Sequence, residues 1–340
     1  MTTATILDRL TERHNLNPDE AEFAFSALLD GEMTPAQAGA FLLTLRAKGE
    51  TPQEMCAAVQ GALQRAHLVT GIAGDYADVV GTGGDGKHSF NCSTATALTL
   101  AGLGCRIIKH GNRAVSSSSG AADALEQLGY PLDLNADGIA ASVKESGFAF
   151  CFAPHFHPSF KNIGPIRREL GVRTLFNLLG PMINPSRPPL MMLGVPSPEL
   201  APTIAAVLGQ GGAYKRALVL CGAGGYDELT LFGPATACLV QGSEVRRIAL
   251  VPEDWGFASK LPTPENEAAL RVETREQASA ALRALLSGQG SPAMAEMVAF
   301  NVAVGLWLFR PELSKQECGE QARLAVASGV GGRVIQGWSK

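Results

Sequence analysis

Apolar residues near the N-terminus recur at helical spacing. Ala21, Phe25, Leu28 and Leu29 fall on one face of a segment at 19–29, and Ala38, Phe41, Leu42 and Leu45 on one face at 34–45. Thr34-Pro35 and Thr51-Pro52 each read as an N-cap followed by proline at the first helical position. Gly31 and Gly49 stand where those helices must stop. Residues 1–67 therefore predict helices only.

At Asp78 the rhythm changes. Short apolar runs at 77–80, 105–108, 148–152, 190–193 and 217–221 predict strands, and segments near 93–103, 121–128 and 199–208 predict helices between them. This alternation predicts an α/β layer around a mostly parallel sheet. Residues 236–250 read as two strands about a Gln241-Gly242 turn, and helices return at 276–286, 293–309 and 314–327. The Pro- and charge-rich stretch 255–273 reads as a surface connection.

The chain has 340 residues, 46% hydrophobic and 18% charged, which suits one large domain or two unequal ones and argues against disorder. A net charge of −4 disfavours a general nucleic-acid binder but leaves local anion sites open. Seven scattered cysteines, none in a C-x-x-C pair, fit a reducing cytoplasm better than a disulfide framework or a zinc ribbon. The first residues lack the apolar core of a signal peptide, and the apolar runs near 148–153 and 298–309 read as buried core rather than membrane spans.

Four motifs carry chemistry. Gly81-Thr-Gly-Gly-Asp-Gly86 follows a predicted strand and precedes a helix, so its backbone amides and the helix dipole can hold an anion. It is neither a Walker A loop nor G-x-G-x-x-G. Asn91-Cys92-Ser93-Thr94 adds donors at the helix start. Lys109-His-Gly-Asn-Arg-Ala-Val-Ser-Ser117 follows the next strand and brings bases, an amide and hydroxyls to the same sheet edge. His110 reads equally well as a satisfied structural histidine, and one serine of the run 116–119 as a helix cap. Asp227-Glu228 offers hard oxygen ligands suited to magnesium, or a solvated acidic turn. His155-Phe-His157 lacks a nearby third ligand for zinc, and Arg167-Arg168 offers either a solvated helix face or a carboxylate clamp.

Together these segments resemble the anthranilate phosphoribosyltransferase family. The carrying blocks are 81–86, 91–94, 109–117 with Gly120, 152–158, 167–174 with Phe176-Asn-Leu-Leu-Gly-Pro181, and Asp227-Glu228-Leu229. Gly31-Glu32, Gln37 and Lys48-Gly-Glu-Thr51 add to the likeness, which runs from about residue 6 to 255 and then loosens to Phe300-Asn301 and its helices.

The resemblance implies a nucleoside phosphorylase/phosphoribosyltransferase-like architecture. A small helical domain (1–68, with an inserted segment near 167–186) would pack on a large α/β domain (69–340), and members commonly form homodimers through the small domain. It implies phosphoribosyl pyrophosphate and anthranilate as substrates, Mg²⁺ as cofactor, and neither nucleic acid nor membrane as partner. Phosphoribosyl pyrophosphate would meet Gly81, Gly84, Asp85, Ser89, Asn91, Cys92, Ser93, Thr94, Lys109, His110, Gly111, Asn112, Arg113, Ala114, Val115, Ser116, Ser117 and Ala121. Anthranilate would meet Gly81, Asn112 and Arg167, with His110 and His157 nearby, and the metal would meet Ser93, Asp227 and Glu228. No residue is expected to act as an acid, base or nucleophile. Two positions depart from the commonest pattern: Ser118 replaces a longer, often basic residue, and Ala121 replaces serine.

Overall fold

The computed structural model describes residues 1–113 and 120–338. Ala114, Val115, Ser116, Ser117 and Ser118, for which the resemblance implies contacts or departures, lie outside the described residues. The chain begins with helices α1 (Thr3–Thr11), α2 (Pro18–Asp30), α3 (Pro35–Lys48) and α4 (Pro52–Gln64). Each starts at a side-chain cap (Thr2, Asn17, Thr34 and Thr51), and the last three carry proline in the first turn. Such caps satisfy amides that the helix itself leaves unpaired.

Strands and helices then alternate: β1 (Ala77–Gly81), α5 (Cys92–Gly102), β2 (Ile107–Gly111), α6 (Ala121–Gln127), α7 (Ala136–Ser146) and β3 (Phe148–Phe152). Next come α8 (Ala153–Phe156), α9 (Phe160–Leu170), α10 (Phe176–Leu179), β4 (Leu190–Gly194), α11 (Leu200–Gly211) and β5 (Arg216–Cys221). The antiparallel pair β6 (Ala235–Gln241) and β7 (Glu244–Leu250) leads to α12 (Pro264–Ala268), α13 (Arg275–Leu286), α14 (Pro292–Phe309) and α15 (Lys315–Ala327). Among the described residues the sheet has seven strands in the order β3-β2-β1-β4-β5-β6-β7, with β3 through β5 parallel.

The pleat sorts the core. Ala77, Val79, Leu190, Met192, Leu218 and Leu220 face α5, α13 and α14 in one apolar cluster. Their alternate neighbours Met191, Leu193, Ala217 and Val219 join a second cluster that also contains Phe25, Phe41, Ile163 and Phe176. The helices at the N-terminus thus share a core with α9, α10 and one face of the sheet.

Two expectations need correction. The second strand lies at 107–111 rather than 105–108, because Gly104 turns the chain with positive φ and Cys105 closes the helix end through its amide to Leu100. The stretch 255–273 is not merely a surface connection. Trp255, Phe257, Leu270 and Val272 are buried, and Phe90 and Val272 donate backbone hydrogen bonds to Leu270 and His88 at 3.2 and 3.0 Å. Helix α14 starts one residue before the expected span; its 18 residues suffice in length and hydropathy to cross a membrane, but two-thirds of it is buried and it packs against α5 and α15 as core.

One polar cluster fixes the segment before β4. The Asn184 amide donates to Asp78 Oδ2 and to the Ile108 carbonyl, both at 2.8 Å, and its oxygen accepts from Ser186 N and Oγ. Burial pushes the Asp78 carboxyl up to about 6, against the opposing pull of Lys109 and the Asn184 hydrogen bond. A carboxyl raised in the native state holds its proton where the unfolded chain has already released it. Between about pH 4 and pH 6 this group therefore makes stability fall as pH rises, and the effect levels off above that window. Asp78→Asn retains an acceptor for Asn184 and His110 but cannot ionise. Its denaturant-midpoint profile is expected to diverge from that of the parent across this window, and superimposable profiles would refute the assignment.

Candidate active site

Strand β1 lies between β2 and β4, so the chain's progress across the sheet reverses there. Open α/β sheets bind ligands outside the carboxyl ends of strands at such a switch point. Strands β1 and β4 end in register on two glycines, Gly81 opposite Gly194. The acidic loop after β5 lies directly across them. A Cβ on Gly194 would come within 1.5 Å of the Asp227 carbonyl oxygen, one on Gly81 within 2.2 Å of Asp227 Oδ2, and one on Gly222 within 1.9 Å of the Glu228 carbonyl oxygen. Three strand ends without side chains thus admit this loop to the sheet edge.

The glycine loop and the acidic loop meet there. The Gly83 amide donates to Asp227 Oδ2 at 2.7 Å, and Ser89 Oγ donates to Glu228 Oε1 at 2.5 Å. Gly83, Gly84 and Gly86 adopt positive φ, which turns successive peptide groups around the loop. From behind, Asn301 on α14 grips Leu229: its oxygen accepts from the Leu229 amide at 3.1 Å, and its amide donates to the Leu229 carbonyl at 2.8 Å. Ser93, Gly194, Asp227, Glu228 and Asn301 line one small cavity.

The electrostatics of this edge are one-sided. Loss of solvent, and then the charge of Asp85, raise the Asp227 carboxyl; loss of solvent, and then Asp227, raise that of Glu228. Lys109 is buried, and burial lowers its pKa although Asp78, Glu228 and Asp227 pull the other way. Its ammonium donates to the Val79 carbonyl and to Ser93 Oγ, so it forms no direct ion pair with the acids. Crowded carboxylates with a hydroxyl beside them fit a hard divalent cation. Among the described residues no group of three or more His, Cys, Asp and Glu forms a cation cage. That is compatible with magnesium, which takes few protein ligands.

The start of α5 lies beside this loop. Thr94 and Cys92 are buried, Ser93 is half-buried, and among the described residues no side chain caps the helix. An uncapped helix start favours an anion. Burial pushes the Cys92 thiol well up, so it is an inert neighbour rather than a nucleophile.

Strand β2 divides the next motif by its pleat. Lys109 points toward α5, and His110 points to the opposite face, where its Nδ1 lies 3.0 Å from the Gly180 carbonyl. A carbonyl only accepts, so Nδ1 carries the hydrogen and Nε2 presents its lone pair. Burial lowers His110 to about 3 and His157 to about 4, so both rings are neutral at pH 7. They pack edge to face at 5.1 Å. Arg167, half-buried on α9, holds its guanidinium 5.7 Å from the Phe176 ring centre and makes no salt bridge among the described residues. Arg168 is exposed.

Gly111 ends β2, and exposed Asn112 follows it. Arg113 is engaged elsewhere, with its guanidinium bound to Asp123 at 3.2 Å and to both Glu126 oxygens at 2.7 and 2.8 Å. Any anion contact at Arg113 therefore falls to its backbone or requires those pairs to open. Ala121 begins α6. The sequence reading missed Gly194 and Gly222 as site-forming residues. Their one signal is a glycine closing, or directly following, an apolar strand.

A glycine loop facing an acidic loop at the switch point of an α/β sheet, with a helical bundle packed behind, is the arrangement of a class of glycosyl-transferring enzymes. The family model described as "Glycosyl transferase family, a/b domain" matches residues 73–331, and "Glycosyl transferase family, helical bundle domain" matches residues 4–66. The anthranilate phosphoribosyltransferase of Nitratidesulfovibrio vulgaris is 55% identical over 338 residues, covering 98% of both chains. That of Oleidesulfovibrio alaskensis is 47% identical, covering 98% of this chain and 99% of its own. The crystal structure of anthranilate phosphoribosyltransferase from Thermus thermophilus superposes with a TM-score of 0.88 at 36% identity over 98% of each chain. The Saccharomyces cerevisiae enzyme in complex with PRPP and Mg superposes at 0.85 with 26% identity, covering 98% of this chain and 97% of that one. The chain belongs to the anthranilate phosphoribosyltransferase family.

The glycine cradle generates a direct expectation. In Gly194→Ala the added methyl displaces the Asp227 backbone while the strand remains buried. A misplacement on the order of 1 Å can cost roughly 100-fold in rate. We expect a loss of about that size in kcat/KM with the far-ultraviolet circular dichroism of the parent, measured by steady-state kinetics; full activity would mean that the acidic loop does not depend on this close approach.

Proposed function

We propose that this chain transfers the 5-phosphoribosyl group of phosphoribosyl pyrophosphate to the amine of anthranilate, releasing pyrophosphate, as a step of tryptophan synthesis. The observation that carries the reading is the contact of the glycine loop with the Asp227-Glu228 loop at the β1/β4 switch point. Membership of the family supports it independently.

On this reading the amides of 81–86 and the start of α5, with Ser89, Asn91, Ser93 and Thr94, hold the ribosyl diphosphate, and Lys109 lends positive charge from beneath. Asp227, Glu228 and Ser93 hold magnesium, which when bound supplies positive charge against the departing pyrophosphate. Arg167 grips the anthranilate carboxylate and Asn112 its polar edge, beside His110 and His157. An aromatic amine is already neutral at pH 7, so positioning does the work of a strong base. The two neutral histidines agree with this.

The division at residue 68 belongs to the same proposal, and the placing of 167–186 in the small domain draws support from Leu175 and Phe176, which share a core with α1–α4. Closure of that domain on the large one would exclude water from the reacting sugar. Homodimerisation through the small domain and a cytoplasmic location complete the proposal, the latter in keeping with seven free cysteines.

A pyrimidine nucleoside phosphorylase would handle an anomeric carbon with one phosphate and no magnesium. The carboxylates crowded at the glycine loop disfavour it. A nucleic-acid-binding relative without catalysis would be expected to lose the glycine loop and gain a basic surface. Mixing the protein with phosphoribosyl pyrophosphate, Mg²⁺ and anthranilate separates the three: the proposal requires anthranilate fluorescence to fall, and persistent fluorescence would defeat it.

Two variants test the assigned roles. Asp227→Asn with Glu228→Gln is expected to cut turnover sharply at limiting magnesium while leaving the thermal transition intact; an unchanged magnesium dependence would remove the pair from metal binding. Arg167→Ala deletes one charge-assisted contact worth about 1.5–3 kcal/mol, so KM for anthranilate is expected to rise roughly 10- to 100-fold. An unaltered anthranilate KM would count against the clamp.

A further inference from the structure

The glycine loop is held from two sides, and the second hold comes from the helical side of the molecule. Arg173, exposed in the turn between α9 and α10, donates from Nη2 to the Gly84 carbonyl at 3.0 Å. Its guanidinium occupies the place a side chain at Gly84 would take: a Cβ there would lie 2.0 Å from Nη2. Arg173 is itself held, because Arg46 on α3 donates from Nη1 to the Arg173 carbonyl at 2.5 Å. The helix that precedes this turn is anchored as well: on α9 the Asn162 amide donates to the Leu29 carbonyl of α2 at 2.8 Å. Hydrogen bonds thus tie α3 through Arg173 to the glycine loop, while α2 holds the helix α9 that leads into the same turn. From the sheet side, Asp227 grips the adjacent Gly83 amide.

In a trans peptide the C=O of one residue and the N–H of the next point in opposite directions. Gly84 has φ +81°, and nothing in its own side chain limits rotation of the Gly84–Asp85 peptide. Fixing its carbonyl on Arg173 fixes the Asp85 N–H toward the opposite side of the loop. Among the described residues Arg173 has no carboxylate partner, so its charge is not spent on an ion pair.

We propose that Arg173 is a positioning residue that couples the helical bundle to the glycine loop, presenting the Asp85 N–H to the diphosphate of the substrate. Arg46 acts one step behind it, by holding the backbone that carries Arg173. This rests on the function proposed above and adds to it a means by which bundle position and diphosphate affinity are linked. If the loop binds best in one peptide orientation, binding favours the bundle placement that supports it, and the reverse holds equally.

The test compares the full-length protein with Arg173→Ala, Arg173→Lys and Arg46→Ala. Inorganic pyrophosphate with Mg²⁺ is the calorimetric probe, and kinetics and hydrogen exchange at 83–86 are read in parallel. Arg173→Ala is expected to weaken pyrophosphate binding and raise KM for phosphoribosyl pyrophosphate about ten-fold, with anthranilate KM unchanged and faster exchange in the loop. Arg46→Ala moves the same quantities in the same direction by less, and Arg173→Lys falls between the alanine variant and the parent. A merely structural role would instead lower the thermal transition and leave the two KM values moving together. Parent-like pyrophosphate affinity in Arg173→Ala overturns the proposal. Should that variant not fold, parent-like values in both Arg173→Lys and Arg46→Ala overturn it. Weakened binding in Arg173→Ala with no change in loop exchange or in Arg46→Ala also overturns it, since that pattern marks a direct contact and no coupling. Failure of the parent protein itself to bind pyrophosphate would strike the proposed function, not this coupling.

Discussion

The site depends on how closely two backbones can approach. The acidic loop after β5 crosses the ends of β1 and β4 at distances that no side chain at Gly81, Gly194 or Gly222 would permit. Without that approach the Asp227 carboxylate could not accept the Gly83 amide, and the glycine loop and the acidic loop would face each other across solvent. Asn301 holds the loop down by pairing with both the amide and the carbonyl of Leu229, as a neighbouring strand would. A single side chain from a buried helix thereby replaces a missing ladder, and the adjacent carboxylates keep one orientation.

Such an arrangement opposes its own charge. Carboxylates crowded at a partly buried edge destabilise the ligand-free protein, because each loses water and repels the next. The buried cation beside them, Lys109, is committed to the Val79 carbonyl and Ser93. The resulting excess of negative charge is what a metal-bound diphosphate would relieve. Strain of this kind commonly collects at functional sites and is offset elsewhere. Here the offset is visible in the two apolar clusters that clamp the sheet from both faces.

Much of this was legible in the chain. Capping threonines followed by proline marked the starts of α3 and α4, because a cap is a local event. The strands β1, β3, β4 and β5 were legible as short apolar runs, since a sheet buried on both faces needs apolar residues in succession. Helix α9 escaped notice as a whole element: Gly164 and Pro165 interrupt its pattern, and only packing against α2 and α3 holds it helical. The pairing of Leu270–Val272 with His88 and Phe90, just after the glycine loop, was illegible for another reason. Those residues sit in a polar stretch, and their partner lies about 180 positions earlier, which no local pattern can encode. The contact between the two functional loops was expected only through family resemblance; its physical cause, three strand-end glycines, becomes visible once the register of β1 and β4 is known.

The pleat of β2 carries the argument one step further. Neighbours on a strand face opposite ways, so Lys109 and His110 cannot serve the same environment. Lys109 lies among carboxylates, a helix start and hydroxyls, where charge is the currency of recognition. His110 lies against His157 and the Gly180 carbonyl, in a setting dry enough to keep both rings neutral. On the proposed reading, the ionic substrate and the aromatic one are received on the two sides of one strand end. The separation has a chemical use. A charged imidazole near the amine would compete with the ammonium and carboxylate charges that position the substrates, whereas a neutral one offers only a lone pair. On that reading, the same alternation that builds a sheet would keep a polyanion and an arene amine in different electrostatic surroundings, with Gly111 and Asn112, the next residues, leading the chain out between them.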